Sequence, residues 1–168
     1  MKEFVIEKLS EEHCTKRFDC KNSTINNYLR INALIDNKLK KSNSQVLLQN
    51  GEIIAYFTLG ITDFNLKNDE SDIFDYYCIN LEYIGVDEKY QHQGIGTKLL
   101  DYVIMQIQPI AEYIGSRFFV LDALLEKIKW YESIGFQKME DMKYEERKTV
   151  TMYMDFCNID DVYKFFEE

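Results

Sequence analysis

No run of about 18 uncharged apolar residues occurs in this 168-residue chain, so no membrane-crossing helix is expected. The N-terminus, Met1-Lys2-Glu3-Phe4-Val5-Ile6-Glu7, lacks the basic stretch and apolar run of an export signal. Cysteine is sparse: Cys14, Cys20, Cys78 and Cys157 are irregularly spaced and contain no C-x-x-C pair, which argues against a disulfide framework and predicts reduced cytoplasmic thiols. Histidine is rarer still, and His13 beside Cys14 lacks any partner pattern for a metal, so none is expected. Basic residues are outnumbered, 20 against 29, and the net charge of -9 argues against generic affinity for nucleic acid or anionic membrane. Repeats and low-complexity segments are absent too.

What is present suits one compact domain over residues 1–168, with 46% apolar and 14% aromatic content to build a core. Charge is unevenly spread. Between Lys16 and Lys41 seven basic residues (Lys16, Arg17, Lys21, Arg30, Lys38, Lys40, Lys41) face Asp19 and Asp36, a local excess of +5. Such a segment reads first as the solvated face of a helix, and second as a docking patch for a polyanion.

Phe4 to Leu9 reads as a strand, and Ser23 or Thr24 caps a helix whose apolar positions Ile25, Tyr28, Leu29, Ile31, Leu34, Ile35 and Leu39 recur at helical spacing. Gln45 to Gln49 and Glu52 to Ile61 flank Asn50-Gly51, the signature of a tight hairpin. Thr62 to Tyr76, polar and acidic, reads as a loop or weak edge. Cys78 to Val86 is nearly continuous in apolar residues, the pattern of a central strand covered on both faces. A helix follows from Gly94, with Leu99, Leu100, Val103, Ile104 and Ile107 as its stripe and Pro109 as its end or kink. Phe118 to Leu121 is a short buried strand, Leu125 to Ser133 a helix stopped by Gly135, and Phe136 to Met139 and Thr149 to Phe156 two further strands. Ile159 to Phe166 reads as a last helical turn or two. The order describes a mixed α/β sheet with helices on its faces.

The chemistry lies between Val86 and Lys98. A strand that runs through a glycine-rich turn into a helix aims main-chain N–H groups, backed by the positive helix end, at whatever anion sits there. Gly94 and Gly96 let the backbone approach phosphate oxygens closely. Gly94-Ile95-Gly96-Thr97-Lys98 is too short for a P-loop, and Leu99 together with a mid-chain position excludes a dinucleotide fingerprint. Two glycines that simply make a turn are the bland alternative.

The stretch Gln91-His92-Gln93-Gly94-Ile95-Gly96 resembles the [RQ]-x-x-G-x-[GA] signature of the GNAT family of N-acetyltransferases, and Trp130-Tyr131-Glu132-Ser133-Ile134-Gly135-Phe136 is similar to that family's Y-E-x-x-G-F helix end. The resemblance implies a mostly antiparallel sheet with helices on both faces and a splayed central strand pair binding acetyl-CoA. By that similarity Gln91, His92, Gln93, Gly94, Ile95, Gly96 and Thr97 bind the pyrophosphate through main-chain amides, while Ile84, Gly85 and Val86 pair with the pantetheine arm. One departure stands out: where the family often has an asparagine before its last helix, this chain has Leu124-Leu125, so no cofactor contact is assigned there.

Acetyl transfer requires a neutral amine, whereas a lysine-type amine with a pKa of about 10.4 is almost fully protonated near pH 7. Glu82, a carboxylate inside an apolar strand, is the candidate base, directly or through water, since desolvation raises its pKa; a wet sheet edge is the alternative placement. Its position is also similar to that of the base in many family members. Asp122 is the second choice. Tyr131 is, by resemblance, the acid for the leaving thiolate, and spacing alone would make it plain core. His92 is expected beside the phosphates rather than in catalysis.

The acceptor is then a primary amine of a small molecule, peptide or protein. Phe18-Asp19-Cys20-Lys21-Asn22 followed by Tyr28-Leu29 resembles the start of the acetyltransferase toxins of toxin-antitoxin modules, which implies aminoacyl-tRNA as acceptor, the +5 segment as its contact, and an antitoxin partner. A non-catalytic CoA sensor is the reading from another class, and whether the chain forms a homodimer is left open.

Overall fold

The computed structural model describes residues 4–67, 73–139 and 148–157. Among the described residues seven strands, β1 (Phe4–Lys8), β2 (Asn43–Gln49), β3 (Glu52–Lys67), β4 (Ile73–Val86), β5 (Phe118–Leu124), β6 (Gln137–Lys138) and β7 (Thr149–Asp155), lie in the order β1-β2-β3-β4-β5-β7-β6. The pairs β1/β2, β2/β3, β5/β7 and β6/β7 are antiparallel. The helices are α1 (Ser23–Asn27), α2 (Ala33–Leu39), α3 (Ile95–Ile114) and α4 (Ile128–Ile134). Among the described residues no helix is long and apolar enough to cross a membrane. The chain divides into two compact units, Met1–Ile61 with Leu81–Ile104, and Thr62–Asn80 with Met105–Glu168.

In the first unit, Leu9, Phe18, Leu29, Ala33, Val46, Ile53 and Tyr56 form the core. The Phe18 ring meets Tyr56 edge-on at 5.4 Å, and the buried Tyr56 hydroxyl donates to the Ile25 carbonyl at 2.6 Å. The hairpin forms where Asn50-Gly51 places it, with φ of 52° and 78°, the left-handed pair that matches strand twist. A register shift between Leu47 and Leu48 skips Ile54, and the Ile54 carbonyl accepts the N–H of Asp87 at 2.8 Å.

The cap of the first helix lies one residue before Ser23, the earlier of the two expected caps. Asn22 is the N-cap, its side chain accepting from Thr24 and Ile25, because an amide oxygen reaches the second and third N–H groups as a serine hydroxyl does. Between α1 and α2 the chain makes a π turn over Tyr28–Asn32. Of the apolar positions, Leu29 is buried, whereas Ile31, Ile35 and Leu39 are exposed.

In the second unit, Phe64, Cys78, Phe118 and Val120 form the core. Phe64 packs on Phe118 at 5.3 Å and on Tyr153 at 5.6 Å. This corrects the loop expected over Thr62 to Tyr76: β3 continues to Lys67 and β4 begins at Ile73, since the buried Phe64 anchors a stretch whose own polarity argues against a strand. Pro109 does not end α3, which runs on to Ile114; proline removes one N–H, and a 20-residue helix retains the rest. Of the expected Phe136 to Met139 strand, Gln137–Lys138 form the ladder with β7, and the Met139 N–H adds a bond to the Thr151 carbonyl at 3.1 Å. In β7 the alternation holds, with Val150 and Met152 buried. The expected C-terminal turns, Ile159 to Phe166, lie outside the described residues.

Candidate active site

Central strand β4 ends at Val86, and the chain then has eight residues in which to turn into α3. Asp87, 5% exposed, opens the turn: its carboxylate accepts from the N–H groups of Lys89 and Asp19, each at 3.1 Å. A single 3-10 turn, Glu88–Tyr90, follows. His92 and Gly94 then take positive φ values of 58° and 76°, and the Gly94 carbonyl accepts the first helical bond, from Lys98 at 3.1 Å. A side chain on Gly94 would meet no atom within 4 Å, so its backbone conformation is what calls for glycine. Ile95 and Gly96 start the helix, where main-chain N–H groups lack intrahelical acceptors and face outward with the positive end of a 20-residue dipole. Thr97 lies in the same turn. The stretch expected to cradle an anion is therefore a strand-to-helix turn with positive φ at His92 and Gly94.

The two glutamines of the cradle hold it rather than line it. The Gln91 amide donates to the carbonyls of Val86, at 2.9 Å, and Cys20, at 3.1 Å, while Gln93 donates to the Lys89 carbonyl at 3.0 Å. His92 is exposed. Gly85 answers to the core: a methyl there would lie 3.0 Å from Ile25 Cγ2, 3.2 Å from Phe18 Cζ and 3.4 Å from Tyr56 Cε1. Gly85→Ala is accordingly expected to destabilise the protein by about 1–3 kcal/mol through overpacking, read as a lower urea midpoint at unchanged slope. Ile84 and Val86 flank it, both half-buried.

The N-terminal stretch Phe18 to Asn22 clasps this turn. The Asp19 carbonyl accepts from Glu88 N–H at 2.9 Å, Cys20 N–H donates to Asn26 Oδ1 at 2.9 Å, and Lys21 bridges Asp19 and Glu88. The N–H of Lys21 first, then the Asn26 amide and the Lys21 ammonium, push the Asp19 carboxyl down to about 2. Sequence reading missed Asp87 and Asn26 as organisers; an Asp between a strand end and a turn was the signal for the first.

Glu82 lies on β4 and is exposed, not enclosed as an apolar strand suggested, because alternation along β4 turns it away from the buried Leu81. Its carboxyl is nonetheless held above the usual carboxylate range, first by partial desolvation and then by the Asp36 charge. Beside it Tyr83 stacks on Tyr28 with centroids 3.8 Å apart, and the Tyr28 hydroxyl meets Asp36 at 3.2 Å and Ser42 at 3.0 Å. The π turn sets Tyr28 there, a distortion often found at functional sites. Burial is the first cause lifting both phenols above their ordinary values.

In the second unit Tyr131 sits on α4, 6% exposed, edge-on to Phe136 at 5.6 Å and beside Trp130 at 4.6 Å. Burial raises its hydroxyl well above the ordinary phenol value. Gly135, φ 111°, closes the helix. Asp122, exposed on β5, accepts the Thr151 hydroxyl at 2.7 Å. Leu124 precedes a 3-10 turn, Leu125–Lys127.

The +5 segment is largely neutralised within its own unit. Arg17 pairs with Glu52, Lys21 with Asp19 and Glu88, Lys38 with Glu11, and Arg30 donates to the Phe18 carbonyl. Lys16, Lys40 and Lys41 are exposed. His13 bonds Ser10 and Glu7, and among the described residues no cluster that could hold a metal occurs.

A family model described as "Acetyltransferase (GNAT) domain" matches residues 41–138, more than half the chain. No curated protein matches. Solved structures do match over nearly the whole length. AtaT complexed with acetyl-methionyl-tRNAfMet is 20% identical, with a TM-score of 0.79 over 96% of this chain and 99% of that one. AtaTR bound with AcCoA is 22% identical, with a TM-score of 0.76 over 95% and 98%. The KacTA-DNA complex is 18% identical, with a TM-score of 0.75 over 96% and 99%. At such identities these likenesses establish the fold.

Proposed function

Since this chain belongs to the GNAT acetyltransferase family, we propose that, as a single domain, it transfers the acetyl group of acetyl-CoA to a primary amine, the amino group of an aminoacyl-tRNA. The observation that carries the co-substrate is the backbone cradle from Val86 to Thr97, in which two positive-φ residues and a helix start present N–H donors to a pyrophosphate. The acceptor rests on the whole-length likeness to AtaT, whose structure holds acetyl-methionyl-tRNAfMet, and on the Phe18 to Asn22 stretch, which is built into the cradle itself.

In this reading Glu82 takes the proton of the incoming ammonium, its raised pKa bringing it nearer the amine's. The neutral amine nitrogen bonds to the acetyl carbon, the carbon–sulfur bond breaks, Tyr131 donates its hydrogen to the departing sulfur, and the proton that the nitrogen sheds as the amide forms returns to the Tyr131 oxygen through water. Burial keeps the Tyr131 hydroxyl protonated at pH 7, and a thiolate leaving into similar desolvated surroundings is raised by the same effect, so acid and base rise together. Asp122, whose carboxylate accepts the Thr151 hydroxyl, is given no role in this reading. The cytoplasm is the proposed location: all four cysteines are free thiols, the state a reducing compartment maintains. An antitoxin as binding partner follows from the same likeness, AtaT being known bound to the C-terminus of AtaR.

The net charge of -9 and the paired basic segment weigh toward a small or peptidic amine as the second reading. Labelled acetyl-CoA offered with charged tRNA separates the two. Label that co-purifies with tRNA and is released by deacylation is expected. Unlabelled tRNA, growth unaffected by overexpression, and thiol release with free amines would assign the second.

A further inference from the structure

Gly60 stands inside strand β3, where a glycine weakens pairing and needs a reason. Backbone conformation is not the reason: the positive-φ glycines are Gly51, Gly94, Gly115 and Gly135, so position 60 has a backbone that any residue adopts. Its neighbours Phe57, Thr58, Leu59 and Ile61 are all good strand formers, and the position is buried, so a β-branched side chain would ordinarily be favoured. What occupies the space is Glu82. A methyl on Gly60 would collide with Glu82 Oε1 and lie 2.7 Å from Cδ and 3.3 Å from Cγ. The contrast with Gly85 is informative, since there the added methyl meets three separate core side chains, whereas at Gly60 the three nearest atoms all belong to one carboxylate arm.

We propose that Gly60 is a positioning residue for acetyl transfer: by carrying no β-carbon it leaves a seat on β3 in which the Glu82 carboxylate rests. The proposal depends on Glu82 being the base. The seat fixes the carboxylate relative to Asp36 of α2, whose charge acts on it, and to Tyr28 of the π turn and Tyr83 of β4 itself, on whose phenols its own charge acts. Because the blocked atoms are the far end of a flexible side chain, Gly60→Ala leaves the strand intact and swings the carboxylate outward toward water. A base displaced by about 1 Å loses on the order of 10-fold to 10²-fold in rate.

The test is a double-mutant cycle of Gly60→Ala and Glu82→Gln, followed by kcat and KM across pH with acetyl-CoA and the best acceptor found. Gly60→Ala is expected to fold with a melting temperature at or above the parent's, to lose about 10-fold in kcat with the KM for acetyl-CoA unchanged, and to move the acid limb of its pH profile to lower pH. Adding Gly60→Ala to Glu82→Gln should cost nothing more, because the two act through one group. Additive losses, or a Gly60→Ala enzyme whose pH profile matches the parent's while Glu82→Gln is impaired, would overturn the seat and leave Glu82 as base. A Glu82→Gln enzyme with the parent's rate and profile would overturn the base assignment, and the seat with it.

Discussion

Tyr131→Phe is expected to lower kcat by about 10²-fold or more while leaving the KM for acetyl-CoA and the melting temperature close to the parent's. The ring is what the fold uses: it is buried, packs edge-on to Phe136 and lies beside Trp130, and phenylalanine preserves both contacts. The hydroxyl alone is removed. If it only filled space, its loss would show in stability and not in turnover. A role at the departing sulfur predicts the reverse, a defect in kcat that does not depend on which amine is offered. Thiol release measured with parent and variant at saturating acetyl-CoA decides it, and equal rates remove Tyr131 from the chemistry.

Glu82→Gln is the second large effect, about 10²-fold in kcat near neutral pH, with a characteristic recovery. Glutamine cannot accept the ammonium proton, so the variant depends on the fraction of acceptor already neutral. That fraction becomes large above about pH 8 for an α-amino group and only above about pH 10 for a lysine-type amine. The pH at which the variant regains the parent's rate therefore reads out the class of acceptor. In the parent, activity should fall as pH drops through the raised pKa of Glu82, at a higher pH than an ordinary carboxylate would give. Stability moves the other way. A carboxyl whose folded-state pKa exceeds its unfolded value makes the native state bind the extra proton, so stability declines as pH rises from the unfolded pKa through the folded one. Removing the charge should leave Glu82→Gln at least as stable as the parent at pH 7, with no gain below the ordinary carboxylate range; a destabilised variant at pH 7 would mean that the carboxylate is held by partners stronger than Asp36 is repulsive.

Features read correctly from the sequence were short in range. Asn50-Gly51 turns the hairpin by backbone preference alone, Gly135 closes α4 for the same reason, and the strand-to-helix passage from Val86 to Ile95 carries its glycine where φ is positive. Features misread were those whose outcome rests on distant residues. Thr62 to Lys67 looks like a loop until Phe64 meets Phe118 and Tyr153, more than 50 positions away. Of the seven lysines and arginines counted between Lys16 and Lys41, Arg17, Lys21 and Lys38 pair with acids outside that segment, which no count within it contains.

The turn from Val86 to Ile95 and the helix stop at Gly135 were thus determined by the sequence itself, because turn geometry, helix start and helix stop depend on the conformational preferences of a few adjacent residues. Only the tertiary structure decided where Glu82 rests, what Gly60 and Gly85 are for, and how Asp19 and Cys20 join the cradle. The destination of a side chain depends on which surfaces the fold brings against it, and no short window of sequence contains that partner.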